Sequence, residues 1–254
     1  MPMAPWVTTI HHCSTTLPGL LARALARMRH GPLPETRLTL PATFANIARH
    51  AGFTLPAELI AWYEAGATGN NNTRAMAAVY DVEWISPEVC QETIAEWLNP
   101  AAQRGNRFFP FAESGAGDAY CLVKLADGRE GVALVWHDSE TSSIDYASFA
   151  DFVAASHLSS YADLSHLEGE GDLAAFVRAS LAVTATALPA SHAEAIRAPA
   201  QGAVLRLPFK AGPKARPEMV PALLPQDVAE SQAAGFRLVK PVEFEVVARW
   251  EIDA

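Results

Sequence analysis

The 254-residue chain is poor in cysteine, in long apolar runs and in basic charge. Its three cysteines, Cys13, Cys90 and Cys121, cannot all pair within one chain, and no CxxC element is present. This argues against a disulfide framework and suits reduced thiols in the cytoplasm. No stretch is long and apolar enough to span a bilayer. The most apolar early segment, 17–28, is interrupted by Arg23 and Arg27, and no basic region precedes an unbroken apolar run. Neither a membrane span nor a secretory signal is therefore expected. Lys and Arg number 19 against 28 Asp and Glu, a net charge of -9. Such a chain repels a phosphate backbone, so no direct nucleic-acid contact is expected, and it attracts a basic partner instead. Also missing are a P-loop, a Rossmann glycine pattern, a G-x-S-x-G elbow, internal repeats and low-complexity tracts. These absences leave no cofactor to expect.

Half of the residues are apolar, enough to bury a core. Residues 1–40 read as a helical N-terminal extension, with Leu17, Leu20, Leu21, Leu25 and Met28 at helical spacing. Phe44, Ile47, Ala48 and Ala51 then mark a short helix that Gly52 can stop. Pro56 opens a second helix carrying Leu59, Ile60, Trp62 and Tyr63. Residues 79–85 alternate as a half-buried strand, with Tyr80, Val82 and Trp84 on one side. Ser86 and Pro87 start a helix bearing Cys90, Ile94, Trp97 and Leu98. Residues 119–125 and 132–137 predict two strands around the Asp127-Gly128 turn. Ser148 and Asp151 form a capping signal for a helix with Phe149, Phe152 and Val153 on its apolar face.

The order of these elements predicts an α+β fold: a central, mainly antiparallel sheet flanked by helices, over 41–165. Residues 166–254 read as a C-terminal extension. It begins with a helix at Leu173, Phe176, Val177 and Leu181, and the proline-rich stretch 197–225 reads as loop with a short strand at 203–207. Residues 242–252 carry the sharpest period-two alternation in the chain, so they predict a strand that must join a sheet.

Chemistry-bearing residues are sparse. His137, Asp138 and Glu140 sit together at a strand end, without the second ligand cluster a structural metal wants. His11, His12 and Cys13 have no partner motif. Ser148, His137 and Asp138 can be assembled into a Ser–His–Asp set, but Ser148 is better used as a helix cap. Cys121, inside an apolar strand, reads as inert packing. Asp118 suits the hydrogen-bonded turn after Gly115 and Gly117.

Four local patterns carry a resemblance. The run from Leu55 and Pro56 through Trp62 and Tyr63, with Gly66 after it, follows LPxxLxxFY and a glycine turn. Phe111, Ala112, Gly115, Gly117, Asp118, Tyr120 and Leu122 follow F-A-x-x-G-x-G-D-x-Y-x-L. The segment from Gly131 to His137 and Asp138 follows a strand ending in an H-D pair. Ala147, Ser148, Phe149 and Phe152 follow A-S-F-x-x-F. In this order, residues 44–155 resemble the SMI1/KNR4, or SUKH, superfamily. The resemblance implies an α+β domain and does not imply catalysis, so no enzyme is expected. It implies a protein partner, above all a bacterial toxin of nuclease or deaminase type that an immunity protein neutralises. Glu113, Asp118, Asp138, Glu140 and Asp145 are the expected contacts to such a basic toxin. The alternative is a scaffold or regulator of an endogenous partner, favoured by the two extensions; a hydrolase using His137 is the remaining reading.

Overall fold

The computed structural model describes residues 39–67 and 76–252. The apolar run at 17–28 lies outside them, as does most of the expected 66–72 loop. Helix α1 (Leu40–Ala51) buries Phe44 and Ala48 and stops at Gly52, whose φ of +87° suits a residue without a β-carbon. Helix α2 (Ala57–Glu64) starts directly after Pro56 and buries Leu59, Trp62 and Tyr63. Phe44 stacks on Tyr63 with ring centroids 3.8 Å apart, which joins the two helices.

The expected strand at 79–85 is mostly not one. Only β1 (Glu83–Trp84) pairs in the sheet. Upstream, buried hydroxyls take the backbone N–H groups that a strand would offer to a neighbour. Met76 N donates to Thr184 Oγ1 at 2.9 Å, and Tyr80 N donates to Ser160 Oγ at 3.0 Å. Asp81 adopts a left-handed φ of +61°, which breaks the extended run. The alternation of Tyr80, Val82 and Trp84 is thus a tethered turn, and Tyr80 stands exposed.

Helix α3 (Pro87–Glu96) is capped by Ser86, whose hydroxyl accepts from Val89 N. Then follow β2 (Arg107–Glu113), β3 (Ala119–Lys124), β4 (Glu130–Val135) and β5 (Thr141–Tyr146). Two of these, β2 and β5, escape the sequence patterns. The former is a continuous aromatic run broken by Pro110, and the latter is polar, so neither alternates. Pro110 pairs with Cys121 and Ala112 with Tyr120, which leaves Phe111 as the extra residue of a bulge. A turn spanning Asp127 and Gly128 joins β3 to β4, and Leu125 N donates to Arg129 O. Gly131 lies close to β5. A β-carbon there would overlap Ile144 Cγ2 and approach the Tyr146 carbonyl oxygen to 2.5 Å. Because backbone cannot yield as a side chain can, Gly131→Ala should cost about 1–3 kcal/mol, read by urea denaturation.

Helix α4 (Phe149–Ser160) starts at Ser148, which accepts from Asp151 N as the capping pattern requires. Helices α5 (Leu173–Thr184) and α6 (Ala190–Ala200) follow. Strands β6 (Leu205–Phe209) and β7 (Glu218–Ala222) form a separate two-stranded sheet. Helix α7 (Gln226–Ala234) packs on α4. The proline-rich stretch is therefore more ordered than loop.

The C-terminal alternation is half strand. β8 (Val242–Glu245) adds to the open edge of β5, completing the order β1-β2-β3-β4-β5-β8, antiparallel throughout. The chain then leaves the sheet, because the buried Gln103 amide substitutes for a neighbouring strand. Val247 N donates to Gln103 Oε1 at 2.9 Å, and Val247 O accepts from Gln103 Nε2 and from Trp97 Nε1, both at 3.0 Å. Helix α8 (Arg249–Ile252) ends the described residues.

The architecture is α+β, and both faces of the sheet are covered. One face packs Phe109, Phe111 and Leu122 against α1, α2 and α4. The other packs Phe108, Cys121, Val123 and Ile144 against Trp97, Leu98, Phe244 and Val246. An antiparallel sheet commonly leaves one face wet; here the C-terminal segment helps to close it. Residues from 39 onward form one compact unit, so the C-terminal extension is continuous with the sheet domain.

Candidate partner-binding cleft and acidic corner

The five acidic residues expected to meet a partner are not brought together. Asp118 points inward and is 3 % exposed. One carboxylate oxygen accepts from His137 N at 3.1 Å and lies 2.7 Å from His137 Nδ1; the other accepts from Ser114 Oγ at 3.0 Å. This carboxylate holds the corner between β3 and the end of β4, so the structure assigns it a fold-keeping position and not a contact surface. Asp118→Ala would strand three donors, and we expect a loss of about 2–3 kcal/mol in a thermal or urea melt. Glu113 is half-buried, directly opposite Glu83 on β1. Burial pushes its carboxyl pKa up, Arg249 opposes that, and Glu83 adds to it. Asp138 and Glu140 are exposed at the turn before β5. Asp145 sits near the far end of β5 as the extra residue of a second bulge, with Oδ1 accepting from Ser143 Oγ at 2.9 Å.

Possible ligand atoms of Asp118, His137 and Asp138 lie within 4.8 Å of one another. Hydrogen bonds already use both oxygens of Asp118, which accounts for the grouping as a strand-end corner. Ser148 donates to Asp151 Oδ2 at 2.6 Å and caps α4, so its hydroxyl is engaged away from His137. Cys90 and Cys121 are buried, and burial pushes the Cys90 thiol up to about 12 and raises Cys121 as well, so neither offers a thiolate at neutral pH. Cys13 lies outside the described residues.

Elsewhere, a cleft of about 790 Å³ lies between β3, β5, α4 and the β6–β7 hairpin. Tyr120 and Tyr146 form its floor, one from each strand. Phe152 lies against both, with centroids 5.4 and 5.5 Å away. Ser156, Ser159 and Ser160 follow at helical spacing along one face of α4 and form a wall. Tyr80 faces His166 with ring centroids 5.5 Å apart. Arg237 comes from the chain after α7, its guanidinium carbon 5.8 Å from the Tyr146 ring centre. Burial raises the Tyr120 phenol well above its ordinary range, and the carboxylates of Asp81 and Asp118 add to that. Among the described residues, no hydrogen bond joins a cleft serine to His166. Sequence reasoning missed this site: the serine spacing on α4 was its one local signal, while the tyrosines and Arg237 are far apart in the chain.

The family model described as SMI1 / KNR4 family (SUKH-1) matches residues 40–155. That segment is an SMI1/KNR4 domain. No curated protein and no solved structure matches the chain. The SMI1/KNR4 domain ends within α4, so it supplies Tyr80, Tyr120, Tyr146 and Phe152, and the extension supplies His166, Phe209 and Arg237. Charge divides along the same line. Residues 40–155 hold fifteen Asp and Glu against six Lys and Arg, the entire net -9 of the chain, while the remainder has thirteen of each. No helix among the described residues is long and apolar enough to cross a membrane.

Proposed function

We propose that this protein is a non-catalytic, cytoplasmic binding module that recognises a basic protein partner, and that the partner is a bacterial toxin of nuclease or deaminase type which it neutralises. The observation that carries the reading is the open cleft, built from tyrosines, phenylalanine and serines on rigid strands and a helix. Tyrosine offers large, stiff, amphipathic contact area and serine offers adaptable hydrogen bonds, the chemistry of protein-recognition surfaces. A nucleophile activated by a neighbouring base would favour an enzyme, and the cleft serines have no such partner among the described residues. The acidic SMI1/KNR4 domain favours a basic partner by steering, with the aromatic contacts supplying most of the affinity.

The test is co-expression of the full chain with any nuclease- or deaminase-type toxin found encoded beside it. Restored growth and a co-purifying complex are expected. Continued killing with no complex would overturn the immunity reading. A scaffold for an endogenous partner is the second reading. It is favoured by the C-terminal extension, whose β8 completes the sheet and whose Arg237 completes the cleft. A stable complex with a host protein, formed in a strain with no such toxin, would select it.

A further inference from the structure

We infer that the cleft captures a cationic side chain, an arginine on an extended segment of the partner, against the exposed ring of Tyr80. This rests on the protein-binding reading above and assigns it a place and a chemistry. Three observations point the same way. Ring faces attract cations through their quadrupole, and guanidinium is the group most often found there. The cleft already holds one such contact, because Arg237 reaches over Tyr146 at 5.8 Å. This own-chain guanidinium displays the chemistry that the floor accepts.

The second observation is charge. Asp163 lines the cleft, and the SMI1/KNR4 segment that supplies its tyrosines carries the whole net -9 of the chain. The third is access. Tyr80 is 65 % exposed and Arg237 is exposed as well, while the rigid partners beneath, Phe152 and Ser160, are buried. Tyr80 is held at its backbone by Ser160 Oγ, so its ring stands at the mouth with its peptide group fixed. Such a pre-set aromatic wall loses little freedom when a guanidinium slides against it. Arg237, as a like charge at the margin, would compete with the incoming cation.

The competition makes the proposal testable with defined probes. The full chain is titrated by calorimetry with the blocked tripeptide acetyl-Gly-Arg-Gly-amide and with its glutamate and norleucine counterparts. The arginine peptide should saturate and bind more tightly than the other two. Tyr80→Ala should weaken it about two- to fivefold, and Arg237→Gln should tighten it by about the same factor, the range of an exposed cation–ring contact. Both side chains are exposed, so unchanged melting temperatures check that the fold persists. Equal binding of the three peptides, failure of the arginine peptide to saturate, or weaker binding in Arg237→Gln overturns the assignment. If a neutralised toxin binds wild type and the Tyr80→Ala variant equally well, the cleft assignment falls and the protein-binding reading stands. If the arginine peptide behaves as expected but no protein partner forms a complex, the cleft assignment stands and the protein-binding reading falls.

Discussion

Phe111→Ala should destabilise the protein by about 3–5 kcal/mol, the range for truncating a fully buried aromatic ring. Phe111 has no exposed surface and meets four other rings. Its centroid lies 5.1 Å from Phe149, 5.4 Å from Phe152, 6.1 Å from Trp84 and 6.5 Å from Tyr120. It thereby ties β1, β2 and β3 to the first turn of α4. The bulge at Phe111 leaves this residue without a partner on β3 and aims its ring into the cluster. Alanine would remove the ring and leave a cavity whose walls are other rigid rings, which collapse poorly. Phe111→Leu should cost markedly less because it refills part of the space. Urea denaturation at neutral pH measures both, and a loss below about 1 kcal/mol for alanine would refute the hub role. Phe152 also lies beneath the cleft tyrosines, so the alanine variant should weaken partner binding as well.

Acid should unfold the protein through His157. This side chain is fully buried on α4, and neither ring nitrogen has a hydrogen-bond partner among the described residues. Burial without a partner disfavours the charged imidazolium and lowers its pKa to about 3. The folded state therefore refuses a proton that the unfolded state accepts near pH 6.5. Stability is complete above that value and falls as pH drops toward 3, because the unfolded chain binds more protons across this window. The loss from this residue should be about 2 kcal/mol at pH 5 and about 4–5 kcal/mol once the pH reaches 3. His157→Leu removes the titrating group while keeping an apolar filling. Denaturation curves at pH 7.5 and pH 5 should differ less for the variant than for the wild type by about 2 kcal/mol. An equal difference in both would sink the assignment to His157.

Local rules carried far into the structure. Ser86, Ser148 and Gly52 mark helix ends because caps and left-handed stops depend on one or two neighbouring residues. The Asp127-Gly128 turn and the strands around it obey the same local logic. The expected strand at 79–85 shrinks to Glu83–Trp84, because distant hydroxyls on α4 and α5 claim the backbone upstream. The strand expected across 242–252 ends at Glu245 because Gln103 claims Val247. Period-two patterning reports which side chains are buried; it does not report what receives the backbone hydrogen bonds.

The candidate site divides in the same way. Gly115, Gly117, Asp118 and the His137-Asp138 pair are visible as a motif, and the motif marks the domain. Of these, Asp118 turns inward and locks the corner on His137, while Asp138 stays exposed. The cleft was not visible, since Tyr80, Tyr120, Tyr146 and Arg237 converge only once the sheet has formed and the chain beyond α7 has returned to it.

By itself, the order of residues determined the α+β class, the helix ends at Gly52, Ser86 and Ser148 and the resemblance of residues 44–155 to the SMI1/KNR4 family, because caps, turns and family patterns are short-range. Tertiary structure alone decided the sixth strand, the closed second face of the sheet and the aromatic cleft. Each requires groups distant in the chain to satisfy one another's hydrogen bonds and apolar surface, and no local pattern encodes which distant partner will arrive.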